Sequence, residues 1–386
     1  MKKIALLAAL FAVFACSPAA KNTDNTTPKG PVPVTVPTFA KGADISWASE
    51  MEANSRTFQK KDGTVAPLLD VLKDCGINAI RLRVWVNPFQ GWSGKDDVVA
   101  AAKKVTYAGL PLMVDFHYSD FFTQPDRQKI PAAWEADKAD IDKMCKHVAD
   151  HTTEVLQALK DAGVHVEWIQ VGNETPVGML FPLGSTTSGH DNFAKLYMAG
   201  YNAAKDVYPK ALVMPHVDAA HKNRLSWFKS LQQAGGKFDM VALSHYPQAA
   251  WNGKTQLAAE QANTLALATI RSLASELKVP VVVSEVGVIT AGDSGVTAKL
   301  EADGKQVLKA FMDEVKKIDG CVGVFYWEPQ VDGLWRPLVY TRMDVLSRYT
   351  EKTESDYWPA YKQGAFSRVT NTASVKPTSV MDVFAD

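Results

Sequence analysis

Two glutamates stand where an acidic side chain is costly. Gln170-Val171-Gly172-Asn173-Glu174 and Val281-Val282-Val283-Ser284-Glu285 each carry an apolar, β-branched run straight into a carboxylate. Such a group is expensive in apolar surroundings unless it is paired or hydrogen-bonded. Two of them, about 110 residues apart and each ending a strand-like run, imply one site assembled from distant chain. Cleavage of a glycosidic bond needs such a pair. One carboxyl protonates the leaving oxygen, and the other attacks the sugar or activates water.

The elements that must position this pair follow a regular pattern. Strand-like runs start near Gly42, Ala79, Pro111, Val166, Leu212, Phe238, Pro280 and Val322. Helical spacing lies between them, for example over Pro67 to Asp74, Asp97 to Ala108 and Ile141 to Ala162, stopped by Gly76, Gly109 and Gly163 respectively. The strands are almost continuously apolar, as parallel strands covered on both faces are. Eight alternations spaced by about 40 residues, with no glycine-rich phosphate loop after the first strand, favour an α/β fold of the (β/α)8 TIM-barrel type over a doubly wound sheet. The eighth helix falls at Ser379 to Asp386. A β8–α8 loop of about 50 residues then separates it from the strand ending at Trp327, and the loop's aromatic residues, Trp335, Tyr340, Tyr349 and Trp358, argue that it is ordered.

Composition narrows the function class. Forty-two basic and 42 acidic residues cancel, which leaves no electrostatic footprint for nucleic acid. Lys2-Lys3 and the apolar run Ile4 to Ala15 read as a signal peptide, too short to span a membrane. The run ends in Val13-Phe14-Ala15-Cys16, which resembles a bacterial lipobox with Cys16 as the lipidated residue. Ser17 after it fits an outer-membrane lipoprotein, surface-exposed, or a secreted protein if Cys16 is not lipidated. The chain thus divides into a leader over 1–16, a Pro/Thr-rich tether over 17–38 and a single domain over 39–386. Cys75, Cys145 and Cys321 form no metal or disulfide pattern and read as small apolar residues.

In a barrel, the carboxyl ends of the strands form the active face. Those ends offer Asp44, Arg81, Arg83, Asp115, His117, Asn173, Glu174, His245, Tyr246, Glu285 and Trp327. Trp85, Trp92, Trp134, Trp251 and Trp335, beside likely strand ends, are candidate sugar platforms. Asp44 and Arg83 can also be read as members of inner-barrel ion pairs.

These motifs resemble those of glycoside hydrolase family 53, the endo-β-1,4-galactanases of clan GH-A. The matching strings are GADIS (42–46), IRLRVWVNP (80–88), DFHYSD (115–120), PAAW (131–134), QVGNE (170–174), SHYP (244–247) and FYWEP (325–329). The resemblance implies retaining hydrolysis of β-1,4-galactan or arabinogalactan in pectin, with Glu174 as acid/base and Glu285 as nucleophile. It implies substrate binding by Asn173, Asp115, His117, His245, Tyr246, Trp327, Arg81 and Trp335. No cofactor is implied for the chemistry, although some relatives hold a structural calcium, for which Asp332, Asp344 and Asp356 could supply oxygens. Phe121-Phe122 and Val286-Gly287-Val288 depart from the family strings beside the chemistry. The alternatives are a related clan activity on mannan, xylan or glucan, and a non-catalytic surface glycan-binding protein.

Overall fold

Eight parallel strands close into a ring in the computed structural model, which describes residues 33–252, 255–350 and 361–385. They are β1 (Ala40–Asp44), β2 (Ala79–Val84), β3 (Leu112–Phe116), β4 (Val166–Val171), β5, β6 (Val241–His245), β7 (Val281–Val286) and β8 (Cys321–Trp327). β5 is one strand in two pieces, Leu212–Met214 and His216–Asp218, broken at Pro215. Proline has no N–H to give the ladder. Its first piece pairs with β4 and its second with β6, while β8 pairs with β1, so the ring has no open edge. The TIM-barrel expectation holds. Cys16, the leader, most of the tether, Asp356 and Trp358 lie outside the described residues.

Helices α1 (Leu68–Asp74), α2 (Lys95–Tyr107), α3 (Ile141–Asp161), α4 (Asp191–Val207), α5 (Arg224–Gln233), α6 (Ala259–Leu277) and α7 (Ala298–Val315) fill the connections. α3 shows why the sequence folds this way. The Asp140 side chain accepts from the N–H groups of Asp142 and Lys143 at its start, Met144, Val148, Val155 and Leu159 bury one face, and Gly163 at φ +71 ends it. The expected eighth helix is instead a 3-10 turn, Ser379–Phe384, packed on α7. Before it, strands Phe366–Arg368 and Ser374–Pro377 join Thr57–Gln59 and Val65–Ala66 in a small sheet. The long loop after β8 therefore carries secondary structure of its own.

The barrel interior is layered. Ala40, Ala79, Met113, Trp168, Met214, Ala242, Val282 and Phe325, one from each strand, form a buried apolar base. Gly42 sits above it because a Cβ there would meet the Phe325 ring at 2.1 Å. Side chains alternate along a strand, so the next inward layer comes two residues later. That layer is polar: Arg81, Asp115, Gln170, His216 and Ser244.

At the level of the polar layer β7 breaks the alternation. Val283 pairs with Leu243 but Glu285 pairs with Ser244, so Ser284 is an extra residue in a β-bulge. The bulge turns Glu285 rather than Ser284 into the barrel.

Candidate active site

A cleft of about 650 Å³ opens above the polar layer, and Glu174 and Glu285 both line it. Glu285 comes from the bulge of β7. Its two oxygens take separate partners: an Arg81 guanidinium nitrogen at 2.7 Å, and the Tyr246 hydroxyl, which donates at 2.7 Å. Glu174 follows the turn after β4 at φ +46, a left-handed conformation that costs a non-glycine residue roughly 1–2 kcal/mol. Its carboxyl accepts one hydrogen bond, from the Ser244 hydroxyl at 2.6 Å.

These surroundings divide one proton between two acids. Burial, then the charge of Glu285, pushes Glu174 up to about 8, and the Ser244 hydroxyl only partly offsets this. Burial raises Glu285 as well, but Arg81 and the Tyr246 hydroxyl pull it back. With a cation and a phenol against a single serine hydroxyl, Glu285 ionises first and the proton stays on Glu174.

Arg81 holds the polar layer together. Its nitrogens lie 2.6 Å from Asp44, 2.8 Å from Asp115 and 2.7 Å from Glu285. Burial pushes Asp115 up, but Arg81 and His117 outweigh it and hold the carboxyl below its usual range. Arg81 and Asp115 are fully buried and absent from the cleft wall, so they set charge and orientation rather than touch a sugar. Asp44 and Arg83 both stand in inner-barrel ion pairs, Asp44 with Arg81. Arg83 pairs with Glu328, between the rings of Trp47, Trp85 and Phe122 at 4.7–5.1 Å. Beside this box Glu50 is buried, and burial raises it to about 7 and Glu328 to about 8.

The other expected site residues divide into two groups. Asn173, His117, Tyr246 and Trp327 line the cleft, and so does Trp251, which is 52% exposed. Asn173 accepts from Arg81 at 3.1 Å and donates to the Thr123 carbonyl at 3.0 Å. His117 has both ring nitrogens committed, one to Asp115 at 2.9 Å and one accepting from the Thr123 N–H at 3.1 Å. It therefore orients the pair and has no nitrogen left for a hydroxyl.

His245 and Trp335 are corrections. His245 follows inward Ser244 and precedes inward Tyr246, so it points outward, where its ring bonds Asn263 at 2.7 Å and packs on Phe311. Burial lowers it to about 4. Trp335 packs against Trp47 at 5.3 Å, away from the cleft. Trp85 is buried against Phe121 and Phe122, and Trp134 stacks on His147.

The calcium expectation does not fit the residues described. Buried Asp332 is matched to Arg56 at 3.7 Å and Arg368 at 3.0 Å, and Asp344 pairs with Arg342 at 2.8 Å. Among the described residues no group of three or more possible ligands stands together.

Five residues without an assigned role in the sequence complete the site: Ser244, His216, Gln170, Thr123 and Gln128. Counting two residues on from the apolar base marks the first three as inward. Thr123 and Gln128 lie in the loop after β3, where no such period exists.

The sequence profile of glycosyl hydrolase family 53 matches residues 40–336. The arabinogalactan endo-β-1,4-galactanase of Cellvibrio japonicus is 30% identical over 75% of this chain and 80% of its own length. An uncharacterised protein of Niallia circulans is 34% identical over 56% of this chain and 60% of its own length. The fold of the Ignisphaera aggregans family 53 catalytic domain matches with a TM-score of 0.73 at 23% identity, covering 92% of this chain and 98% of that one.

Proposed function

This chain belongs to glycosyl hydrolase family 53, and from that premise we propose that it cuts β-1,4-galactosidic bonds within galactan or arabinogalactan side chains of pectin, with retention of configuration. One observation carries the reading. Glu174, held by a single serine hydroxyl, and Glu285, held by Arg81 and the Tyr246 hydroxyl, face one open cleft. The galactanase of Cellvibrio japonicus supports the choice of substrate.

The steps follow from the two environments. The Glu285 carboxylate attacks the anomeric carbon as the bond to the leaving oxygen breaks, and Glu174 gives that oxygen its proton. Trp327 offers a ring to the sugar being cleaved, and Asn173 an amide to its hydroxyls. Esterification removes the charge of Glu285, and with it the Coulombic contribution that raises Glu174. Glu174 becomes the stronger acid and, now a carboxylate, takes a proton from water. The resulting hydroxide displaces Glu285 from the anomeric carbon. This route expects the two carboxyls to stand roughly 5 Å apart.

Two substitutions are expected to move the alkaline limb of kcat/KM in opposite directions. Ser244→Ala removes a hydrogen bond that favours the ionised Glu174, so the limb moves to higher pH. Asp218→Asn removes a nearby negative charge that raises Glu174, so the limb moves to lower pH. Each shift is expected to be about half a unit to one unit. Shifts of the same sign in both variants would refute Glu174 as the group behind that limb.

The function itself is tested by reducing-end release from linear β-1,4-galactan beside mannan, xylan and cellulose, using protein that begins after residue 16. Release from galactan alone supports the proposal. Release from another glycan favours a related clan activity, and galactan binding without release favours a binding protein. Anchoring at the outer membrane through Cys16 belongs to the same proposal and is tested by replacing Cys16 with Ala and following the protein into the medium.

A further inference from the structure

The left-handed turn at Glu174 is gripped from two sides by residues that do not line the cleft. On one side the Glu174 N–H donates to Nδ1 of His216 at 3.1 Å, and the next N–H, of Thr175, donates to the His216 carbonyl at 2.8 Å. On the other side Nε2 of Gln128 donates to the carbonyls of Asn173 and Glu174, both at 2.9 Å, and lies 3.0 Å from that of Gln124. Three carbonyl oxygens around one nitrogen fix the amide's orientation, because the opposite flip would set oxygen against oxygen. Both side chains are at most 1% exposed. Burial keeps His216 neutral, and because the Glu174 N–H can only donate, its contact selects the tautomer in which Nδ1 accepts. A left-handed non-glycine residue persists only where its surroundings over-determine it, and here two side chains do so, Gln128 from the loop after β3 and His216 from β5.

We propose that Gln128 and His216 are positioning residues that lock this turn and thereby aim the Glu174 carboxyl at the leaving oxygen. Neither touches a reacting atom. The inference rests on the reading of Glu174 as the acid, and its test separates the two. The constant kcat/KM reports steps up to formation of the glycosyl-enzyme, and a dinitrophenyl leaving group departs in those steps without needing a proton. Loss of aim therefore harms galactan cleavage far more than cleavage of a dinitrophenyl β-galactobioside.

Gln128→Leu and His216→Phe are each expected to lower kcat/KM on galactan by ~10- to 100-fold, with a loss on the aryl substrate at least tenfold smaller. His216→Asn keeps a side-chain acceptor and is expected to recover most of the His216→Phe loss. Equal losses on both substrates, or none, would overturn the clamp, and if Gln128→Leu does not fold the His216 pair decides. Glu174→Gln serves as the reference. If it shows no such split, the acid assignment itself fails. If it shows the split and the clamp variants do not, only the clamp fails.

Discussion

Glu285→Gln is expected to lower kcat on galactan by at least ~10⁴-fold while leaving the protein folded. The amide keeps the shape of the side chain and can still accept from the Tyr246 hydroxyl, but it has no charge and cannot form the glycosyl ester. Arg81 keeps Asp44 and Asp115 as partners, so the buried cation is not stranded. Glu174→Gln is expected to cost ~10²- to 10⁴-fold on the same substrate, the usual worth of a general acid. Both variants should still bind galacto-oligosaccharide, which calorimetry would read directly. Retention of most activity by either one would remove that residue from its role.

The second large effect is expected at Arg81, through stability as well as rate. One guanidinium answers three buried carboxylates, so Arg81→Met leaves Asp44, Asp115 and Glu285 facing one another without a cation. Breaking a buried pair by removing one partner typically costs about 3–5 kcal/mol, and here three partners are stranded. The same loss raises Glu285, because Arg81 is the largest influence opposing its burial. A larger fraction of the nucleophile is then protonated at a given pH, and the remaining rate should rise as the pH is increased. Arg81→Lys keeps the charge, but a single ammonium cannot span three acceptors and should fall between the two. Urea unfolding and a pH–rate profile measure both effects. An unchanged urea midpoint for Arg81→Met would mean that the buried charges are compensated in another way.

How much of this was legible in the chain depends on what each feature rests on. Eight apolar runs at even spacing were enough for the barrel, because burial on both faces leaves its mark on every residue of a strand. Glu174 and Glu285 were visible as acids where acids are costly. The errors came from reading strand ends without their two-residue period. His245 sits one residue out of phase with Ser244 and Tyr246, and counting from Ala242 would have turned it outward and Ser244 inward. The same count fails at β7, where it selects Ser284, because a bulge leaves no sign in composition. Trp335 and Asp332 were misplaced for another reason: their partners Trp47, Arg56 and Arg368 lie hundreds of residues away or across the small sheet, and no local pattern records such contacts. Gln128 was invisible because its whole role is held in two backbone carbonyls.

Burial at the barrel mouth also ties the fold to the proton concentration around it. Glu174 and Glu328 release their protons near 8 and Glu50 near 7, against 4.5 for the same side chain in water, so the folded chain holds protons that the unfolded chain gives up. Stability falls with rising pH across that window. Histidines act in the opposite sense. His117, His151, His216 and His245 are lowered from 6.5, chiefly by burial, so the stability they contribute grows as pH rises and is complete near 6.5. Above that point only the carboxyls are still titrating. The urea midpoint is therefore expected to decline between pH 6.5 and pH 8, and a midpoint still climbing at pH 8 would contradict this balance. The protein then refolds at mildly alkaline pH by taking protons from its buffer, and the same burial that keeps the acid charged with a proton limits how alkaline a medium the fold withstands.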